Sequence, residues 1–452
     1  METFLQQLSA IMPTALTGSV VRTEGLMTAV AGFPAPVGAL VEIDRQAGGP
    51  IPGEVVGFRD ELTLIYPFSQ VAGVRHGNCV RLQRTSRFLR VGQPLLGRVI
   101  DAQGRPTDGL AEPALPERVP FDRRGPLAVE RPPIDTPLST GVRAIDALLT
   151  CGRGQRLGIF AGSGVGKSVL LGMMARYTSA DVNVIALIGE RGREVNEFLE
   201  RDLGPAGLTR SVVVVATSDE PALARIQAAM TATAVAEYFR DQGQNVLLLM
   251  DSLTRFALAQ REIGLAAGEP PTTRGYPPSV FALIPKLAER TGRSQRGSIT
   301  AFYSVLVEGD DPNEPICDAV RGVLDGHIWL SRKIASRGHY PAIDVLPSIS
   351  RLMPSVVTRD HLAAAGMMRE LLAAYADHED LISIGAYRRG ANAKVDAAIA
   401  LQEELNRFLR QDVAEASSIE EAREGLSKLA TRVASLPRGS AAGGPVVSSA
   451  GG

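Results

Sequence analysis

The residues best suited to chemistry sit where apolar runs end. Ile159-Phe160-Ala161-Gly162-Ser163-Gly164-Val165-Gly166-Lys167-Ser168 leaves an apolar strand, Leu157 to Phe160, and enters a helix, Ser168 to Tyr177. Glycines there let successive backbone N–H groups turn inward around a phosphate chain. Lys167 adds a point charge on the terminal phosphates, and Ser168 offers a hydroxyl to Mg²⁺. The helix N-terminus adds positive potential of its own. Gly162, Ser163, Gly164, Val165, Gly166, Lys167, Ser168 and Val169 form the expected nucleotide-binding set. Ala161 stands where such a loop usually has its first glycine.

Two further apolar runs end in carboxylates. Asn245-Val246-Leu247-Leu248-Leu249-Met250-Asp251 reads as a strand buried on both faces, with Asp251 at the carboxyl edge of a sheet. There Asp251 completes the Mg²⁺ shell beside Ser168; without the phosphate loop it would read as a helix cap. Val184-Ile185-Ala186-Leu187-Ile188-Gly189-Glu190-Arg191-Gly192 is the second run. Glu190 could polarise an attacking water, with Arg191 steadying the water or the phosphates. The plainer alternative is a surface Glu–Arg pair at a strand end.

At this point a resemblance can be stated. Gly189-Glu190-Arg191-Gly192-Arg193-Glu194, Asp251-Ser252-Leu253-Thr254-Arg255-Phe256-Ala257 and Gly275-Tyr276-Pro277-Pro278-Ser279-Val280 resemble the rotary ATPase superfamily. Asp325-Gly326-His327-Ile328-Trp329-Leu330-Ser331-Arg332 and His339-Tyr340-Pro341-Ala342-Ile343-Asp344-Val345-Leu346 narrow it to the ATPases of type III protein export, flagellar or injectisome. The likeness runs from about residue 18 to about residue 412. It implies ATP as substrate with Mg²⁺, a homohexamer, and Arg255 as a supporting residue. It also implies that Arg351, in Pro347-Ser348-Ile349-Ser350-Arg351, acts as an arginine finger in a neighbour's site. Read from the sequence alone, Arg351 would be a structural arginine. The implied partners are a stator-like regulatory protein at the N-terminus, a coiled-coil central stalk, and the export gate with its substrates or chaperones. The implied place is the cytoplasm, peripheral to the inner membrane at the export apparatus.

Composition bounds the rest. The chain has 452 residues, 45% of them hydrophobic, enough for a large core and several domains. A net charge of −1 argues against a nucleic-acid protein driven by bulk charge. Cys79, Cys151 and Cys317 lie far apart, without zinc spacing or a disulfide framework, which suits a reducing compartment. No stretch approaches the ~20 apolar residues of a membrane span, and the start lacks the basic residues of a signal peptide.

The elements that must position these residues follow from periodicity. The fold class expected is α/β: an N-terminal β-barrel, a central P-loop (RecA-like) parallel sheet with helices on both faces, and a C-terminal helical domain. Residues 1–17 carry Phe4, Leu5, Leu8, Ile11 and Met12 at helical spacing, as an amphipathic segment. Residues 18–93 read as short barrel strands. Residues 94–345 read as the nucleotide domain, with strands at about 157–161, 184–189, 211–217, 245–251 and 298–306. Residues 346–436 are expected to be helical, with stripes at Leu362, Met367, Leu371, Leu372 and Tyr375 and at Val395, Ala398, Ile399, Leu405, Phe408 and Leu409. Ser418 with Glu421 reads as a capping box. Residues 437–452, mostly Gly, Ala, Ser and Pro, read as a disordered tail.

Two departures from rotary synthases stand out. Gly385-Ala386-Tyr387-Arg388-Arg389-Gly390-Ala391-Asn392 is basic where catalytic synthase subunits carry an acidic loop. It is expected to face a central stalk, with Tyr387 as packing anchor. Met353 to Gly366 contains no aromatic residue to stack on the base, so aliphatic contact alone is expected there, leaving ATP-over-GTP selectivity open. The chain therefore reads as a Mg²⁺-dependent export ATPase. A synthase or ion-pump subunit, an RNA translocase and a non-catalytic nucleotide-binding scaffold are the alternatives.

Overall fold

Continuous apolar runs decide the middle of the chain. In Val182–Glu190 every residue but the last is buried, and Asn245–Asp251 and Ser298–Leu306 are nearly as closed. That is the pattern of parallel strands covered on both faces. The computed structural model describes residues 16–436 except 308, 310, 312 and 313. It assembles these runs into a nine-stranded sheet. The spatial order is Ile343–Ser350, Gly326–Leu330, Arg156–Ala161, Ser298–Leu306, Asn245–Asp251, Val182–Glu190, Ser211–Thr217 and Arg98–Ile100, with Gly292–Arg293 paired beside Ser298–Leu306. Neighbours along this path are parallel. Ile343–Ser350 is the exception, an antiparallel edge strand. The five expected strands are all present. Gly326–Leu330 was not anticipated, because its residues alternate between buried and half-buried and give no continuous run.

Successive side chains leave a strand on opposite faces, so each central strand feeds two cores. Val184, Ala186 and Ile188 pack with apolar residues of the helices Ala222–Asp241, Leu253–Ala266 and Pro278–Glu289. Ile185 and Leu187 join the helices Arg143–Leu148 and Lys167–Tyr177 on the other face. The C-terminal helices Arg359–Ser383, Ala393–Leu409 and Ile419–Ser435 extend this second core. They therefore sit on the same layer as the helix that follows the phosphate loop.

Thr17–Glu24, Met27–Ala31, Leu40–Ile43, Ile51–Arg59, Leu62–Pro67 and Cys79–Arg84 close a six-stranded barrel. Val20, Val41, Ile43, Val55 and Ile65 fill it. It is tied to the sheet domain at the helix Ala222–Asp241. The Tyr66 hydroxyl accepts from Ala222 N at 3.3 Å, and Gln227 Nε2 donates to Glu54 Oε2 at 2.9 Å.

In the C-terminal region Ser418 and Glu421 form the expected capping box. The second stripe is buried at Val395, Ala398, Leu405, Phe408 and Leu409, while Ile399 is half-buried. In the first stripe Leu371 is buried and Leu372 and Tyr375 pack half-buried on the same core, while Leu362 and Met367 are exposed, and His361, Ala365 and Met368 face inward in their place. A polar residue can take that inward position because the His361 ring bonds the Ala147 carbonyl at 2.7 Å. The amphipathic segment expected at the N-terminus lies outside the described residues but for Leu16 and Thr17, and the tail from 437 lies wholly outside them. No described helix is long and apolar enough to cross a membrane.

Candidate active site

The phosphate loop begins where Arg156–Ala161 ends and the helix Lys167–Tyr177 starts. Gly164 and Gly166 hold φ values of 77° and 86°, a region that costs an L side chain energy and suits glycine. Gly166 caps the helix without any side-chain bond to its first amides. Those N–H groups remain available to an anion. Gly162 and Val165 are buried supports of the loop; Ser163, Gly164 and Ser168 are exposed, and Val169 is half-buried.

Three charged residues converge beside the loop. Lys167 Nζ bonds Asp251 Oδ1 at 2.5 Å and lies 3.9 Å from Glu190 Oε1. Asp251 is the last residue of its strand and its side chain is only 4% exposed. The same Oδ1 accepts the Ser304 hydroxyl at 2.6 Å. Sequence reasoning missed Ser304; a serine inside the apolar run Ser298–Leu306 carries no pattern, and only the pairing of that strand with Asn245–Asp251 places it there. Glu190 ends the adjacent strand. Burial first, and then the Asp251 carboxylate, push its acid up to about 7, against the pull of Lys167.

Arg255 lies across the base of Glu190. Gly189 has φ 68°, and a Cβ there would sit 3.0 Å from Arg255 Cβ and 3.2 Å from its Cγ. Arg255 Nε is buried and has no partner among the described residues. A cation with an unanswered donor, packed against the residue before Glu190, suits a polyphosphate held at the loop. The donor set also suits Mg²⁺, which takes one or two protein oxygens and completes its shell with phosphate oxygens and water; Ser168 and Asp251 supply that many.

Arg191 is not brought to this cluster. Its side chain is 82% exposed and its ionic contact is Glu194, at 3.7 Å. Arg351 is not brought to it either. Its amide donates to Asp325 O at 3.0 Å, and Asp325 in turn donates to Arg156 O. Arg351 is thus level with the start of the strand that ends at the phosphate loop. At about 3.3 Å per residue the two lie on opposite edges of the sheet, roughly 17 Å apart or more along the strand. Its exposed guanidinium contacts the Arg321 carbonyl at 3.4 Å.

An aromatic residue from outside 353–366 stands beside the phosphate loop. A Cβ on Gly166 would lie 3.5 Å from Tyr340 Cδ1 and Cε1, so an aromatic ring rests against the last glycine of the loop. Tyr340 is 46% exposed and lines a cavity of about 810 Å³ with Arg143, Arg410 and Gln411. It lies 13 residues before Met353 in the chain, and the connection after Gly326–Leu330 delivers it. Tyr387 is tied within its own loop. Its hydroxyl bonds Asn392 O at 3.0 Å and Asp396 Oδ1 at 3.1 Å, so it braces its own loop. Ile384, Arg388 and Arg389 are among the exposed side chains there.

With the geometry in place, comparison with known proteins decides the family. Residues 141–350 match the nucleotide-binding domain of the ATP synthase alpha/beta family. Residues 357–428 match the T3SS EscN ATPase C-terminal domain. The flagellum-specific ATP synthase of Bacillus subtilis is 55% identical over 414 residues, 91% of this chain and 94% of its relative. The chain belongs to the type III export ATPases. The type 3 secretion system ATPase of Xanthomonas euvesicatoria is 51% identical over 91% of this chain and 93% of its own length. Among solved structures, the assembled ATPase EscN of enteropathogenic E. coli superposes with a TM-score of 0.87 at 48% identity, covering 91% of this chain and all of EscN. EscN in complex with its central stalk EscO gives 0.85 at 47%, with the same coverage. As a family member the chain is a P-loop ATPase, and the match at 357–428 sets it with the export branch rather than with synthase subunits.

Proposed function

We propose that this chain hydrolyses ATP to drive protein export through a flagellar or injectisome type III apparatus. It works as a cytoplasmic homohexamer peripheral to the inner membrane. The observation that carries the reading is the meeting of Lys167, Asp251 and Glu190 at the carboxyl edge of the sheet, within one ion-paired group. Lys167 and the loop amides hold the phosphates. Ser168 and Asp251 would hold Mg²⁺, which would offset the charge of the phosphates. Glu190, ionised, orients the attacking water. Arg255 answers the phosphates with its guanidinium, whose Nε is buried and unpaired among the described residues, and the base rests against Tyr340. Arg351 completes the site of the next subunit, where an arginine is worth roughly 10³–10⁵ in rate.

The loop Ile384 to Asn392 is the contact for a coiled-coil stalk. Its support is the solved complex of EscN with the stalk EscO together with the exposed Ile384, Arg388 and Arg389. A stator-like protein at the N-terminus, the export gate and the exported proteins or their chaperones complete the partner set. The test is genetic and enzymatic together. Deleting the gene should stop secretion, restored by the wild-type chain and not by Lys167→Ala, whose purified protein should hydrolyse no ATP. Loss of flagellar filaments or of injectisome effectors would say which apparatus is served. Secretion restored by Lys167→Ala would end the proposal.

A further inference from the structure

Resting on the nucleotide reading above, we infer that Gln411 is a positioning residue for Tyr340, and through it for the nucleoside half of the nucleotide. Gln411 follows the helix Ala393–Leu409 and is buried. Its Oε1 accepts from Arg143 N at 2.7 Å. Its Nε2 donates to Gly141 O and to Glu415 O, both at 2.8 Å. Both N–H groups of the amide are thereby used, and its oxygen is engaged. The backbone N–H of the same residue donates to Tyr340 O at 3.0 Å.

The corner that Gln411 grips is itself fixed. The buried carboxylate of Asp146 accepts from Thr140 N and Oγ1, from Ser139 Oγ and from Gly141 N. The segment of Tyr340 connects Gly326–Leu330 to Ile343–Ser350 through the short helix Arg332–Ala335, and is closed by backbone bonds, His339 N to Ile334 O at 3.4 Å and Ser331 N to Ala342 O at 2.9 Å. The Tyr340 ring stays half-exposed against Gly166. The Gln411 amide and peptide tie that segment, and with it the ring, to residues 141–143. Gln411 touches no phosphate-loop residue, so its loss should act on the base side alone. A merely structural glutamine would, when replaced, weaken every ligand alike.

The full chain is titrated with Mg²⁺ and ADP, and separately with Mg²⁺ and pyrophosphate, which keeps two phosphates and lacks the nucleoside. Gln411→Leu should raise the Kd for ADP about tenfold, the scale of one aromatic stacking contact. Pyrophosphate binding should change less than about twofold, within the ordinary scatter between remote sites. Gln411→Glu keeps the acceptor for Arg143 N and loses the donors, and should fall between. If Gln411→Leu shows no cooperative thermal transition, Gln411→Glu carries the comparison. Equal weakening of both ligands, or unchanged ADP binding, overturns the inference. Tyr340→Ala separates the layers. If it leaves ADP binding unchanged, Tyr340 is not the base rest. If it weakens ADP while the folded Gln411 variants do not, only the role of Gln411 falls. A wild-type chain that binds neither ligand overturns the nucleotide reading itself.

Discussion

At the scale of single residues, Glu190 connects environment to turnover most directly. Its acid is pushed up to about 7 by burial and by Asp251, and the proposed role needs the ionised form. The sign follows: kcat/KM should rise with pH through about 7 and fall as protonation removes the water-orienting carboxylate. The midpoint belongs to the Glu190–Asp251–Lys167 group rather than to one residue. Glu190→Gln should keep nucleotide binding near normal and lower turnover by ~10²–10⁴, and it should flatten that limb. Single-turnover hydrolysis with parallel binding titrations reads both, and equal turnover in variant and wild type would remove Glu190 from the chemistry. Lys167, Asp251 and Glu190 were legible in the sequence because each ends or follows an apolar run, and topology sends run ends to one edge. Ser304 and Tyr340 were not, since each reaches the site through a strand order or a long connection that no local pattern encodes.

At the scale of elements, burial makes some contacts costly to break and exposure makes others cheap. Glu237, on the helix Ala222–Asp241, meets Arg290 through two bonds of 3.0 and 2.8 Å, with both side chains about as buried as the core. Removing one partner strands a charge, so Glu237→Ala should cost about 3–5 kcal/mol, read as a lower denaturant midpoint. A loss under about 1 kcal/mol would mean that water reaches the pair. The loop after Arg359–Ser383 is the opposite case. Ile384 is 75% exposed, while Tyr387 and Asp396 tie the loop's frame together. Arg388→Glu with Arg389→Glu should leave basal ATPase unchanged and lower its stimulation by a stalk protein. Added salt should weaken that contact in the wild type as well. An equal fall in basal activity would place the loop in the fold's interior. Element types were readable here, as the capping box at Ser418 and the stripe at 395–409 were. On Arg359–Ser383 the stripe holds from Leu371 on, and only its start, Leu362 and Met367, points outward, because apolarity alone does not show that a histidine has a carbonyl waiting.

At the scale of the whole molecule, the two halves of the proposed site lie on opposite edges of one sheet, Lys167 beyond the carboxyl ends and Arg351 level with the start of Arg156–Ala161. One chain cannot bring them together. Specific activity should therefore rise with protein concentration. Arg351→Ala mixed in equal amount with Glu190→Gln should regain activity at about a quarter of the contacts, those where an intact Glu190 meets an intact Arg351. No recovery in rings shown to be mixed would assign Arg351 to its own subunit or to none. On this reading the subunits meet head to tail, and such a contact never satisfies itself in pairs. An open row always keeps one subunit whose phosphates face no arginine and another whose arginine faces no phosphate. Only closure removes both loose ends in a single step. Fuel consumption then reports finished assembly: stray subunits and half-built rows burn less ATP per chain, and the last subunit to join completes two sites at once.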